Sequence, residues 1–271
     1  MAEPEYILGT DALELERLGF QHRVWARQAY ALWERAGIRA GDAVLDLGCG
    51  PGFAAFDLAA LVGPQGRVIA VDESERFLAH LTRERDRQNL RQIDPHPGRV
   101  EELDLPPGSF DAAYARWLFC WLAEPGVALA RVARALRPGG VITLQEYIDW
   151  AAMALVPRSE TFERAVAACM RSWHDGGGTI DIGTRLPTLA EECGLRVEHL
   201  GPIARLGRVG SLEWRWIGSF YASYLPRLVT RDRFGADELA AFTVEWDRRT
   251  REGTSWIHTP LMLDAILRKR E

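Results

Sequence analysis

Hydrophobic residues in the first 150 positions follow two spacings in turn. Short apolar runs bounded by turn-forming residues predict buried strands, and longer segments with an apolar residue at every third or fourth position predict amphipathic helices. Strands that alternate with helices in this way favour a parallel sheet with helices on both faces. The predicted strands are 43–47, 67–71, one within 92–105, 109–115 and 141–147, and the predicted helices are 11–37, 53–62, 74–89 and 125–136.

The pattern changes after about residue 150, where predicted helices outnumber strands. The glycine run 176–178 is the best candidate for a hinge, because glycine gives the backbone the most freedom. Aromatic residues are frequent in this half, and they predict either a small core or the wall of an apolar ligand pocket. The predicted helices are 159–173, 184–193, 211–225 and 235–249, and the predicted strands are 196–203 and 261–269.

A loop with three glycines follows the first predicted strand, in the sequence VLDLGCGPG over residues 44–52. Its G-x-G-x-G spacing differs from the G-x-G-x-x-G of dinucleotide-binding proteins. Asp46 precedes Gly48 by two residues, and a carboxylate at this place repels a pyrophosphate but suits a cation. S-adenosylmethionine carries a sulfonium and an ammonium and therefore fits the pattern. A tight turn that binds no ligand is the alternative interpretation.

The predicted topology brings several polar residues to one edge of the sheet. Right-handed crossovers place the carboxyl ends of parallel strands together. That edge collects the loop 46–52, Asp72, the loop near Val100, Arg116 and Glu146. We therefore expect a ligand site there.

Composition disfavours several other classes of protein. Basic residues are scattered along a chain with a formal net charge of −5, so we expect no nucleic-acid-binding surface. The chain contains no run of 18 apolar residues and begins with an acidic segment, so we expect neither a membrane span nor a signal peptide. The four cysteines form no C-x-x-C pair. We expect them to be reduced thiols of a cytoplasmic protein without a metal site.

Four segments, VLDLGCGPG, VIAVDES, GSFDAAYARWLFCWL and LRPGGVITLQEY, resemble in this order the motifs of class I S-adenosylmethionine-dependent methyltransferases. The segments EYILGTDALELERLGFQHRVW and IGTRLPTLAEECGL resemble the small-molecule, natural-product branch of that family. The resemblance implies an α/β, Rossmann-like doubly wound fold with a mostly parallel seven-stranded sheet. It also implies an N-terminal helical cover (1–40), a cofactor-binding core (41–150), and the rest of the sheet with an inserted helical lid (151–271).

The resemblance implies a role for each residue that matches a family motif. Asp46 and the glycine loop hold the methionine part of the cofactor, and Asp72 accepts both ribose hydroxyls. A helix N-cap is the alternative role of Asp72, and the two roles are compatible. Tyr6 and Gln21 either cover the cofactor or pack the N-terminal helix. The residues expected at S-adenosylmethionine are Tyr6, Gln21, Asp46, Gly48, Cys49, Gly50, Gly52, Asp72, Glu73, Val100, Glu101, Ala115 and Arg116.

Two of these contacts stay open between alternatives. Arg99 stands where many relatives carry an acidic residue that receives the adenine amine, so Val100 and Glu101 are equal candidates for the adenine contact. Arg116 is expected either at the methionine carboxylate or in a surface ion pair.

Three residues are candidates for a general base, which an alcohol or carbon acceptor needs and a nitrogen, thiolate or acidic phenol does not. Glu146 ends the fifth strand, His174 lies beside the glycine run, and His22 lies in the covering helix. A structural or solvent-exposed role is the alternative for each of them.

The sequence thus predicts methyl transfer from S-adenosylmethionine to the N, O, S or activated C of a small molecule, with S-adenosylhomocysteine as the product. We expect an apolar or aromatic metabolite of specialised metabolism as the acceptor. The alternatives are a nucleic-acid methyltransferase, a protein methyltransferase and a non-catalytic cofactor-binding subunit. Segment 115–118 lacks the D-P-P-Y-like motif of enzymes that methylate base amines, which disfavours the first alternative.

Overall fold

The computed structural model describes residues 9–271 as strands and helices that alternate along the chain. The strands are β1 (Ala43–Leu47), β2 (Arg67–Asp72), β3 (Ile93–Pro97), β4 (Phe110–Arg116), β5 (Leu136–Asp149), β6 (Ala154–Val156), β7 (Leu195–Ile203), β8 (Leu206–Arg208), β9 (Trp256–His258) and β10 (Leu261–Lys269). The helices are α1 (Ala12–Ala36), α2 (Phe53–Val62), α3 (Glu75–Gln88), α4 (Pro125–Ala135), α5 (Glu160–Asp175), α6 (Leu186–Glu192), α7 (Leu212–Thr230) and α8 (Ala236–Glu252).

Seven strands form one sheet in the order β3-β2-β1-β4-β5-β10-β7. β1 to β5 pair in parallel, and β10 runs antiparallel to both β5 and β7. The prediction of a mostly parallel seven-stranded sheet with flanking helices is therefore confirmed. Because β1, β2 and β4 are parallel neighbours, their carboxyl ends meet at one edge.

The strands have apolar residues on both faces, and each face is covered by different helices. Val44 and Val68 pack with α2 and α3, whereas Leu45 and Ile69 belong to the cluster that includes α4 to α7. This alternation is expected for a sheet that is buried on both sides. Helix α1 contributes to both clusters, so it crosses the end of the sheet and reaches the edge where the loops lie.

Helix α1 begins and ends where the sequence predicts. The Asp11 side chain accepts a hydrogen bond from the Glu14 N–H at 2.9 Å, and Gly37 ends the helix with a φ of 82°. The first turn differs from the apolar pattern, because it buries Glu14 and Arg17 and leaves Leu13 76% exposed. An ion pair thus takes the place of an apolar contact at this end of α1.

Two parts of the fold differ from the predicted elements. Strands β6, β8 and β9 form a separate small sheet that was not predicted, since three residues are too few to show a period. Segment 138–140, which separates the predicted helix 125–136 from the predicted strand 141–147, lies inside β5. There the register against β4 shifts between Phe110 and Ala112, and Gly139 has a φ of 75°, so the segment forms a bulge rather than a break.

The glycine run 176–178 follows α5 and packs against the one-turn 3₁₀ helix 119–121. The Thr179 N–H donates to the Cys120 carbonyl at 3.0 Å, and a Cβ on Gly178 would lie 2.5 Å from that oxygen. The hinge role of this run stays a prediction. Of the helices within residues 9–271, none combines the length and apolar character that crossing a bilayer requires.

Candidate active site

A cleft of about 410 Å³ lies at the carboxyl ends of β1, β2 and β4. The glycine loop and the end of β2 form its floor, while α1 and residues of α5 and α7 form the opposite wall. This is the edge at which the predicted topology places a ligand site. Ligands of open α/β sheets bind in such a crevice.

The glycine loop forms the floor of the cleft, and two of its glycines are required for different steric reasons. Gly50 has a φ of 54°, and a Cβ there would find no neighbour within 4 Å, so its open side faces free space. Gly52 has a φ of 90°, and a Cβ there would lie 2.5 Å from Leu81 Cδ1. Gly50 therefore leaves room for a ligand at the main chain, and Gly52 allows α2 to pack closely.

Asp72 connects the end of β2 to the glycine loop. Its Oδ2 accepts from the Gly50 N–H at 2.7 Å, and its Oδ1 accepts from the Ser74 N–H at 2.9 Å. A carboxylate oxygen can accept more than one hydrogen bond, so these two bonds are compatible with a further role of Asp72 in accepting from ligand hydroxyls. Ser74 is the N-cap of α3, with its hydroxyl accepting from the Phe77 N–H. The N-cap interpretation of Asp72 is therefore wrong.

Two opposite charges face each other across the inner end of the cleft. Asp46 is 2% exposed, and neither its Oδ2 nor the Nη1 of Arg116 has a hydrogen-bond partner within residues 9–271. Burial raises the pKa of Asp46 to about 7, a net value that includes the lowering effect of the Arg116 guanidinium and the raising effect of the Asp72 charge. Buried polar atoms are almost always paired, so these two atoms point to an absent ligand.

The residues that are candidates for binding the adenine end of the cofactor lie together in the cleft. Glu73, Val100 and Glu101 all line it, and Val100 is buried in a 3₁₀ turn. Arg99 also lines the cleft and pairs with Glu101 at 3.3 Å. The residue that departs from the family pattern thus neutralises an adjacent carboxylate, and the choice between Val100 and Glu101 stays a prediction.

Helix α1 forms part of the wall through polar side chains. Gln21 lines the cleft, and its Oε1 accepts from Arg17 Nη1 and from Trp216 Nε1, both at 2.9 Å. His22 also lines the cleft. The predicted contact at Tyr6 lies outside the described residues.

Five of the aromatic side chains that line the cleft lie close to one another. The Trp117 and Tyr147 rings stack with 5.5 Å between their centroids, and the centroids of the Trp121 and Trp173 rings lie 4.0 Å apart. Phe220 from α7 completes the group. Trp117 has a φ of 52°, a left-handed conformation that costs free energy in a bulky residue. Rings held in this way form a rigid, apolar compartment, hereafter the aromatic compartment.

Glu146 and His174 do not line the cleft. Glu146 is fully buried, and its Oε1 accepts from the N–H groups of Leu118 and Phe119 at 2.9 and 2.8 Å. Burial raises its pKa to about 8. His174 is exposed at the end of α5. Their positions therefore support neither residue as a base. The Glu146 side chain binds the backbone at the start of the 3₁₀ helix 119–121 and does not reach the cleft.

Of the remaining predicted cofactor-binding residues, some line the cleft and others do not. Gly48 and Cys49 line the cleft, whereas Ala115 is buried in β4 and Gly52 is turned toward Leu81. The roles of all these residues stay predictions, since the structure gives their positions and no ligand.

The sequence analysis missed Arg17 and gave no role to Trp117 or Trp121. Arg17 is buried, and its Nε and Nη2 donate to the two oxygens of Glu14, both at 2.7 Å. A Glu three residues before an Arg, on a helix expected to cover a site, was the available signal. The tryptophans follow β4 directly, and that adjacency to the expected site was the signal for them.

The fold, a mostly parallel seven-stranded sheet with flanking helices, matches the Rossmann-like fold of solved methyltransferase structures. Residues 44–140 match the protein family described as "Methyltransferase domain". This part of the chain, which carries the glycine loop and the ends of β2 and β4, is therefore similar to that family.

Two curated relatives and one solved structure illustrate the similarity. Over 200 residues, 71% of this chain, the sequence is 32% identical to an uncharacterized 37.1 kDa protein in transposon TN4556 of Streptomyces fradiae and covers 56% of it. Over 120 residues, 44% of this chain, it is 38% identical to the 2-phytyl-1,4-naphtoquinone methyltransferase of Synechococcus elongatus and covers 50% of it. The chain thus spans about half the length of the curated relatives it matches.

The solved structure is the Haemonchus contortus phosphoethanolamine N-methyltransferase 2, in complex with phosphomonomethylethanolamine and S-adenosylhomocysteine. Its TM-score with this chain is 0.58 at 16% identity, over 90% of this chain and 53% of that one. At that identity the comparison shows the fold alone.

Proposed function

We propose that this protein transfers the methyl group of S-adenosylmethionine to a small, planar aromatic acceptor. The single observation that carries the proposal is the pair of buried, unsatisfied and oppositely charged atoms, Asp46 Oδ2 and Arg116 Nη1, beside the glycine loop. They fit the ammonium and carboxylate of an amino acid, which the methionine part of S-adenosylmethionine carries.

The residues present fit the rest of that cofactor as well. The open side of Gly50 leaves space for a ligand against the main chain. Asp72 lines the cleft at the end of β2, and an ionised carboxylate can accept hydrogen bonds from two hydroxyls of a ribose. Glu73, Val100 and Glu101 lie further along the cleft, where an adenine would follow the ribose.

When bound, S-adenosylmethionine supplies a methyl group on a positively charged sulfur. The contribution of the chain is to fix the positions of the two reactants and to exclude water, and positioning alone lowers such barriers by roughly 7–11 kcal/mol. Asp46, Asp72 and Arg116 would fix the donor, while the aromatic compartment would hold the acceptor.

An aromatic acceptor fits the compartment for reasons of shape and polarity. Trp117, Trp121, Tyr147, Trp173 and Phe220 contribute large apolar surfaces, which favour a planar ring through burial and aromatic contacts. A similar sequence, the Synechococcus elongatus relative, is named for methylation of a naphthoquinone. We therefore infer an aromatic or quinone-like metabolite as the substrate class.

We also infer that the protein works in the cytoplasm. All four cysteines are free thiols, and three of them are buried, which suits a reducing compartment.

Isothermal titration calorimetry with S-adenosylhomocysteine tests the cofactor site. We expect wild-type protein to bind it and Asp72→Ala to bind at least about tenfold more weakly, because hydrogen bonds to a charged group contribute roughly 1.5–3 kcal/mol. Asp94→Ala is the matched control, since Asp94 forms only an exposed pair with Arg67 in the neighbouring strand. Equal affinities of the Asp72→Ala variant and the wild type would contradict the proposed site.

Incubation with S-adenosylmethionine and a panel of phenols, quinols and aromatic amines, followed by mass spectrometry, tests the acceptor. We expect a gain of one methyl group on at least one aromatic compound. Methylation of RNA or of protein alone would favour those alternatives instead. Cofactor binding without any transfer would favour a non-catalytic subunit.

A further inference from the structure

His22 lies between two charged side chains in the wall of the cleft. Its Nε2 is 2.9 Å from Asp57 Oδ2, and its Nδ1 is 3.2 Å from Arg116 Nη2. The ring also stacks on Phe53, with 5.9 Å between the ring centroids. The imidazole is therefore fixed by α2 on one side and by the end of β4 on the other.

These two contacts determine which ring nitrogen carries the hydrogen. A guanidinium offers only donors, so Nδ1 must accept from Arg116. Nε2 then carries the hydrogen and donates it to the Asp57 carboxylate. The Tyr30 hydroxyl on α1 lies near Asp57, and burial together with this carboxylate raises the pKa of the hydroxyl to about 12.

The same contact determines how Arg116 faces the cleft. With Nη2 held by His22, the guanidinium plane is fixed, and Nη1 is the nitrogen that has no partner within the described residues. A planar guanidinium binds a carboxylate in a defined orientation, so its rotation matters for affinity.

We propose that His22 and Asp57 are positioning residues that orient Arg116 toward the carboxylate of the methionine part of S-adenosylmethionine. This inference rests on the proposed function and assigns a role to a side chain, Asp57, that does not line the cleft. It makes recognition of the amino-acid end depend on α1 and α2 as well as on β4. The protein should therefore discriminate against adenosine derivatives that lack that end.

The geometry favours this role for His22 over that of a general base. A base needs a lone pair that faces the acceptor, and the only lone pair of this tautomer is used by Arg116. The Nε2 side is occupied by Asp57. His22 thus has no free nitrogen to accept a proton from a substrate.

Calorimetry with two ligands tests the inference. S-adenosylhomocysteine carries the amino-acid end, and 5′-methylthioadenosine lacks it. We expect His22→Leu to weaken the binding of S-adenosylhomocysteine by about tenfold, the value of one lost charge-assisted hydrogen bond, and to change that of 5′-methylthioadenosine by less than about twofold. His22→Asn, which can place an acceptor near the Nδ1 position, should restore most of the loss, and Asp57→Ala should show a smaller loss of the same kind.

A double-mutant cycle completes the test. In an Arg116→Met background, His22→Leu should cause no further loss of S-adenosylhomocysteine affinity, because the residue through which it acts is gone. Asp57 has a partly exposed side chain, so Asp57→Ala keeps the test available if a His22 variant does not fold. Equal losses of affinity for both ligands, or additive losses in the cycle, would overturn the positioning role. If the wild type binds S-adenosylhomocysteine in that case, the proposed function still stands. Absence of wild-type binding would overturn both.

Discussion

At the scale of single residues, the cleft is defined by polar atoms that other residues orient rather than by isolated charges. Asp72 shapes the glycine loop through Gly50 while it faces the ligand space. Arg116 is held by His22 and also lies 5.4 Å above the Trp117 ring. Asp72 and Arg116 thus each have a second contact that fixes the side chain, which is the condition for precise positioning.

Glu146 shows how a residue that looks catalytic from its place in the sequence can have a different role. We expect Glu146→Gln to change kcat by less than about threefold, because an amide oxygen can accept the same two backbone N–H groups. Loss of a general base would lower kcat by about 10²- to 10⁴-fold. Steady-state kinetics with the acceptor found in the panel distinguishes these results.

Glu146→Ala is the control for that comparison. It leaves the N–H groups of Leu118 and Phe119 without an acceptor, and each unsatisfied buried group costs about 1–3 kcal/mol. We therefore expect a lower free energy of unfolding for the alanine variant than for the glutamine variant. A kcat of the glutamine variant as low as that expected for a lost base would restore Glu146 to the catalytic role.

At the scale of elements, helix α1 does more than cover the sheet. It carries Arg17, Gln21 and His22 on the wall of the cleft, and Gln21 joins it to α7 through Trp216. The buried Glu14–Arg17 pair, with side-chain exposures of 0% and 5%, anchors the first turn at the same place. The packing of this helix and the shape of the site are therefore coupled.

Glu14→Ala tests that coupling. Removal of one partner of a buried ion pair leaves an uncompensated charge, so we expect a loss of about 3 kcal/mol in the free energy of unfolding. Glu84→Ala is the matched control, because Glu84 pairs with the exposed Arg87 at the same i, i+3 spacing on α3. It should cost clearly less stability than Glu14→Ala, because solvent screens an exposed pair. Urea unfolding measures both, and equal losses would contradict the anchoring role.

Helices and strands with a long apolar period could be predicted from the sequence, and α2 even has the predicted bounds of 53 and 62. The edge that carries Asp46, Asp72 and Arg116 followed from topology alone. The sequence left open whether the aromatic residues of the second half form a core or a pocket wall. The composition of the aromatic compartment could not be predicted, because its rings come from segment 117–121, β5, α5 and α7, which are distant in sequence. The burial of Glu14 and Arg17 near the start of α1 could not be predicted for a similar reason. Tertiary contacts bury these residues, and the apolar period of the helix gives no sign of it.

At the scale of the whole molecule, Asp46 connects pH, stability and cofactor binding. Its pKa in the folded protein is about 7, above the ordinary value near 4 of an unfolded chain. The folded state therefore holds the extra proton between these values. The stability that this proton contributes is complete below about pH 4 and is lost as the pH rises through about 7.

Cofactor affinity should change with pH in the opposite direction. The ammonium of S-adenosylhomocysteine needs an ionised Asp46, so the affinity should rise as the pH increases from about 5.5 to 7.5, by up to about tenfold per unit below the pKa. Asp46→Asn removes the titrating group. We expect it to bind weakly and without this pH dependence, and to be more stable relative to wild type at pH 8 than at pH 5. Calorimetry and urea unfolding across that range measure the two trends. If affinity and stability depend on pH in the same way in the wild type and in Asp46→Asn, a group other than Asp46 controls both. Because Asp46 is the buried carboxylate at the inner end of the cleft, that result would also remove the charge argument for a cationic ligand.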